Sequence, residues 1–119
     1  MRSYKLSFGT IDILKKNLAE VIVEEGIVMD EIMVDEYHDF LLTNLEAPFS
    51  VLINKKHPYS YTFEAQKLIG KLNELKAIAV VIGTNGGLMS TETLIDINKN
   101  SSWNIKIFQK RDEALSWLE

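Results

Sequence analysis

A chain of 119 residues and 13.6 kDa is one domain's worth of sequence, and folding it buries on the order of 13,000 Å². Hydrophobic residues at 46% and charged residues at 25% exclude disorder as the main state, and the absence of cysteine excludes disulfide scaffolds, thiolate zinc sites and thiol nucleophiles. A net charge of −4 speaks against a broad nucleic-acid-binding face.

The opening residues, Met1-Arg2-Ser3-Tyr4-Lys5, run directly into an alternating segment without the apolar stretch of a signal peptide. The longest apolar run, residues 77–82, is too short to span a bilayer. The expectation is a soluble cytoplasmic protein with a single domain over residues 1–119.

Taken in chain order, the first quarter carries a period of two. Tyr4, Leu6 and Phe8 alternate with Lys5 and Ser7, Gly9 punctuates the run, and Ile11 and Ile13 alternate with Thr10 and Asp12. After a turn at Lys15-Lys16-Asn17, Ala19, Val21 and Val23 alternate with Glu20, Ile22 and Glu24, which predicts an antiparallel hairpin of two strands ended by Gly26. The period then changes to that of a helix over residues 30–45. Met33, Val34, Tyr37, Phe40, Leu41 and Leu45 form its inner stripe, Asp35, Glu36, His38, Asp39 and Thr43 its outer face, and Asp30 its N-cap. Ala47-Pro48 stops it.

Short apolar strands and helices alternate from there. Residues 49–53 form a buried strand, and residues 62–75 a helix capped by Thr62 with Ala65, Leu68, Ile69, Leu72 and Leu75 inside. Residues 77–82 form a central strand that is apolar on both faces. A helix over 90–98, a strand over 105–108 and a helix over 111–118 complete an α/β sandwich. It is a mixed sheet with an N-terminal antiparallel hairpin followed by βαβαβα with right-handed crossovers.

Ligands of open α/β sheets sit beyond the carboxyl ends of the parallel strands. Two loops lie there. The first, residues 54–62, offers Asn54, His57, Tyr59, Ser60, Tyr61 and Thr62 as hydrogen-bonding and aromatic groups, beside Lys55 and Lys56. Its competing reading is structural, with Tyr59 and Tyr61 packed on the neighbouring helix and the lysines solvated. The second, Gly83-Thr84-Asn85-Gly86-Gly87, offers Thr84, Asn85 and Gly86; it completes neither nucleotide-binding glycine motif, and a plain strand-to-helix turn competes with an anion nest. Asp35, His38 and Asp39 have the spacing of metal ligands but fall on the outer helix face, where a solvated surface is the simpler reading. No GxSxG elbow and no HExxH motif is present, so no catalytic residue, cofactor or metal is expected. Trp103 and Trp117 read as structural.

The hairpin, the long helix, the strand leading to Asn54 and Tyr59-Ser60-Tyr61, the Leu75-Lys76-Ala77-Ile78-Ala79-Val80-Val81 strand and the closing Glu113-Ala114-Leu115-Ser116-Trp117-Leu118 together resemble small bacterial STAS-like proteins, the SpoIIAA-like relatives of anti-sigma-factor antagonists. The resemblance implies a non-enzymatic α/β module that binds a partner protein or, in some branches, a lipid or nucleotide. With the position of the two loops, the expectation is a regulatory module that binds a partner protein through the carboxyl-end loops; the alternative is a carrier of a small molecule or lipid in a pocket between helices and sheet, and a homodimer stays open. The antagonists bear an Asp-Ser-Ser-Gly segment whose serine is phosphorylated. Tyr59-Ser60-Tyr61-Thr62-Phe63 stands in its place without that Asp, the paired serines or the glycine, so a phosphoswitch at Ser60 or Thr62 lacks its motif.

Overall fold

The computed structural model describes residues 2–83, 91–92, 95–96 and 104–119. The N-terminal unit is a meander of three strands, β1 (Arg2–Lys5), β2 (Gly9–Lys15) and β3 (Leu18–Val23), where the sequence suggests two. Tyr4 lies opposite Ile11, and Ile11 opposite Val21, so one apolar row crosses all three. The extra reversal occurs between Leu6 and Gly9, where the Leu6 N–H donates to the Gly9 carbonyl at 2.8 Å. The residues of this turn keep the polar–apolar alternation of the strands beside them, which hides the break. Gly9 is needed there because a Cβ would stand 2.1 Å from the Ile22 carbonyl oxygen.

The rest of the main sheet is parallel. β5 (Phe49–Lys55), β7 (Leu75–Ile82) and β8 (Ile105–Phe108) follow β3 in the order β1-β2-β3-β5-β7-β8. Two two-residue strands, β4 (Val28–Met29) and β6 (Ser60–Tyr61), form a separate parallel ladder. Each leads into a helix, β4 into α1 (Glu31–Asn44) and β6 into α2 (Phe63–Leu68), so the ladder ties the two helix starts together.

The caps are where the residue types place them. The Asp30 carboxylate accepts from the Met33 N–H at 2.9 Å, and Thr62 Oγ1 accepts from the Ala65 N–H at 3.1 Å. Val34, Tyr37, Leu41 and Leu45 are buried on the inner stripe of α1, with Met33 and Phe40 packed against them. α2 is much shorter than residues 62–75. It ends at Leu68, and Gly70 opens a pair of tight turns in which Lys71 bonds to Leu68 and Leu75 to Leu72. Leu72 and Leu75 still reach the core, which is why they keep helical spacing without being helical. Helix α1 ends before Ala47-Pro48, whose peptide bond is cis.

Alternation along the strands divides the core. Ile11, Val21 and Val51 meet α1 and α2 on one face of the sheet. Leu52 and Ala79 meet Ala114 of α3 (Arg111–Leu118) on the other, with Trp117 stacked at 5.6 Å on Phe108. Thr91, Glu92, Ile95 and Asp96 are helical; the rest of the helix expected over 90–98, and Trp103, lie outside the described residues. Among the described residues, no helix is long and apolar enough to cross a membrane.

Candidate functional site

β5 and β7 are neighbours, with Lys55 opposite Ile82, so their carboxyl ends open side by side as the expected site requires. β5 runs two residues further than the apolar run suggests. That extension sends Lys55 to the same face as Val51 and Ile53, and Asn54 to the opposite face.

Lys55 is therefore turned inward, not solvated. Its Nζ lies 5.0 Å from the ring centre of Tyr59 and 5.5 Å from that of Tyr61. The two rings meet edge to face at 5.3 Å, and their hydroxyls are hydrogen-bonded at 2.9 Å. Both tyrosines are half-buried and pack against the main core beside Tyr37 of α1.

A cavity of about 20 Å³, partly open to solvent, lies between this cluster and the sheet, lined by Tyr37, Ile53, Lys55, Tyr61, Ile78 and Thr91 among others. It holds about one water-sized group. Burial in these apolar surroundings lowers the Lys55 ammonium to a pKa of about 8. The same burial raises Tyr61 to about 12 and Tyr37 and Tyr59 well above the usual phenol value, so all three stay protonated as hydroxyl donors.

The remaining site residues separate. Asn54 points to the α3 side, where its amide donates to Glu20 Oε2 at 3.0 Å. Glu20 is buried in the middle of the sheet and also accepts from Arg111, Nη2 to Oε1 at 2.7 Å and Nε to both oxygens at 3.1 and 3.2 Å. Burial alone would raise the Glu20 carboxyl; the Arg111 and Asn54 hydrogen bonds and the guanidinium charge outweigh it and hold the pKa below the usual value. Thr62 spends its hydroxyl on the α2 cap, His57 is half-buried, and Ser60 is exposed within β6. Thr84, Asn85 and Gly86 lie outside the described residues. His38 is not on a solvated face: its Nε2 pairs with the Ile69 carbonyl at 3.0 Å, joining α1 to the end of α2. Glu36, close by, accepts from the Ser7 hydroxyl and N–H.

Two features of this region escape a reading of the sequence. Lys55 follows from the alternation of Val51 and Ile53, once the strand is extended to it. The other is an apolar surface: Val28, Ile32 and Phe63 are 52%, 79% and 59% exposed on adjoining segments, the β4–β6 ladder and the first turns of both helices. Val28 stands beside the buried Met29 in a strand too short to carry a period, Ile32 falls outside the inner stripe of α1, and Phe63 stands between Thr62 and Glu64. Comparison with family models, with curated proteins and with solved structures finds no match to this chain.

Proposed function

We propose that the chain is a STAS-like, non-enzymatic interaction module that docks a partner protein where the β4–β6 ladder meets the starts of α1 and α2. The observation that carries this reading is the exposure of Val28, Ile32 and Phe63 on segments held together by main-chain bonds, Ser60 N–H to the Ile27 carbonyl at 3.0 Å and Thr62 N–H to the Met29 carbonyl at 2.9 Å. Single exposed apolar residues are ordinary; three on adjoining, tied segments are the texture of a docking surface. The surface lies at the end of the molecule where the loop of Ser60 and Thr62 was expected to work, but its apolar contacts come from Phe63 and from the opposite strand, not from Tyr59 and Tyr61.

Charge specifies the partner's chemistry. Every Asp, Glu, Lys or Arg between Asn17 and Asn54 is acidic, and Glu31 and Glu64 stand in the first turns beside Ile32 and Phe63. The fitting partner presents an apolar segment flanked by Lys or Arg, and its binding weakens with salt. For the carrier alternative, the cavity beside Lys55 among the described residues, with a volume of about 20 Å³, has no room for a lipid chain.

Photo-crosslinking residues placed at positions 32, 63 and 42 test the reading. A partner captured at 32 and 63 but not at 42, and bound at least about tenfold more weakly by Ile32→Ser with Phe63→Ser, supports it. Capture confined to the α3 surface overturns it.

A further inference from the structure

The β4–β6 ladder leaves one of its own edges open. The Ser60 N–H donates to the Ile27 carbonyl at 3.0 Å and the Thr62 N–H to the Met29 carbonyl at 2.9 Å, with Val28 opposite Ser60 and Met29 opposite Tyr61. Successive residues of a strand aim their peptide groups to opposite sides. Val28, between two residues bonded to β6, therefore turns its N–H and carbonyl the other way. No strand lies on that side among the described residues, because the ladder is a sheet of its own with two strands. Exposed edges are commonly guarded by basic residues, and β1, an edge of the main sheet, carries Arg2 and Lys5. β4 carries no charge; Glu24 and Glu25 precede it and Glu31 follows it, all exposed. An edge so flanked repels acidic chains and admits a basic one.

We propose that the partner adds an extended, basic-flanked segment to the free edge of β4, an inference that rests on the docking reading and gives the partner its backbone form. The segment runs antiparallel, because one residue of an antiparallel strand satisfies both main-chain groups of Val28. That residue shares the face of the Val28 side chain, which is exposed. Apolar residues at alternate positions of the segment then cover Val28 and the adjoining Ile32, and Lys or Arg at its two ends meets Glu24, Glu25 and Glu31. Main-chain bonds hold the segment, and the alternate side chains select it. A helical partner has its N–H and carbonyl groups bonded internally and leaves those of Val28 to water.

A phage-displayed library of random peptides, about twelve residues long and selected on the folded full chain, tests this. Enriched peptides are expected to carry apolar residues at alternate positions between Lys or Arg. With a synthetic copy of an enriched peptide at saturation, exchange of the Val28 amide hydrogen, read by NMR, should slow at least about tenfold. Val28→Pro, which removes the donor from an edge that tolerates proline, should bind that peptide at least about fivefold more weakly while keeping native circular dichroism. Apolar residues spaced as on a helix face, an unchanged Val28 exchange rate, or no enriched peptide overturns the proposal. Ile32→Ser with Phe63→Ser reads the docking surface separately. A peptide that this variant no longer binds, but that leaves Val28 exchange unchanged in the wild type, keeps the surface and removes the added strand.

Discussion

Arg111, the first residue of α3, holds Glu20 in the middle of β3 by donating from two guanidinium nitrogens, Nη2 at 2.7 Å and Nε at 3.1 Å to the same carboxylate oxygen. The two residues are 91 positions apart, and the pair ties the last helix to the strand where the sheet changes from antiparallel to parallel. Asn54 completes the carboxylate from the adjacent strand. A charge 5% exposed inside a sheet is tolerable only with such partners.

Removing the partner is therefore the informative change. Arg111→Ala should cost about 1–3 kcal/mol, less than a fully buried pair because the Arg111 side chain stays 44% exposed to water. The pH dependence has a defined sign. Glu20 has a lower pKa folded than unfolded, so its contribution is fully present above the ordinary carboxyl value of 4.5 and is lost as pH falls through the folded value. Urea denaturation of the wild type and Glu20→Gln at about pH 7 and about pH 4 checks this. The difference between the two proteins should shrink on acidification; a difference that grows contradicts the pairing.

Lys55 has the opposite linkage. Its folded pKa of about 8 lies below the unfolded value of 10.5, so between those limits the unfolded chain binds more protons and stability rises with pH. Above about 10 the buried tyrosines reverse the trend, because Tyr37, Tyr59 and Tyr61 resist ionisation folded but ionise in the unfolded chain. Lys55→Met should flatten the rise above about pH 8 and leave the fall above about pH 10 in place. Chemical denaturation at stepped pH reads both effects, and an unchanged slope in Lys55→Met would place the charge in water.

The parallel half of the fold is legible in the sequence because buried strands carry unbroken apolar runs, Val51-Leu52-Ile53 and Ile78-Ala79-Val80-Val81-Ile82. Asp30 and Thr62 are legible as caps because a short acceptor side chain before an apolar-periodic run has few other uses. The β4–β6 ladder is not, since two residues per strand carry no period. Nor is the early end of α2: Leu72 and Leu75 continue the helical spacing, and only Gly70 marks the break. The candidate loop is legible in position but not in orientation. Tyr59 and Tyr61 are half-buried against the core while Phe63 exposes its ring, a difference made by tertiary packing around α2.

Gly9 offers a test of the meander. Gly9→Ala would set a methyl 2.1 Å from the Ile22 carbonyl and 2.9 Å from the Val23 Cα, both main-chain atoms that cannot rotate away. The loss should be on the order of 2 kcal/mol or more. Gly26→Ala meets nothing within 4 Å but must adopt a φ of +79°, so it should cost about 1 kcal/mol. Equal small losses at both sites in thermal and urea denaturation would mean that the start of β2 does not lie against Ile22 and Val23 of β3.

Tyr61 and Phe63, two positions apart, should answer oppositely to truncation. Tyr61 lines the cavity, packs on the core and accepts or donates the hydroxyl bond to Tyr59, so Tyr61→Ala should cost about 3–5 kcal/mol and Tyr61→Phe about 1 kcal/mol. Phe63 is 59% exposed, with Lys67 Nζ 4.3 Å from its ring centre as a solvent-side contact, so Phe63→Ala should change stability by no more than about 0.5 kcal/mol. Binding should show the reverse order. Phe63→Ala should weaken a partner held on the helix starts by about 1–2 kcal/mol, and Tyr61→Phe, which keeps its ring in place, should bind normally. Denaturation and titration calorimetry on the same preparations separate the two roles. A Phe63→Ala protein that is as destabilised as Tyr61→Ala would place that ring in the core and remove the apolar surface on which docking depends.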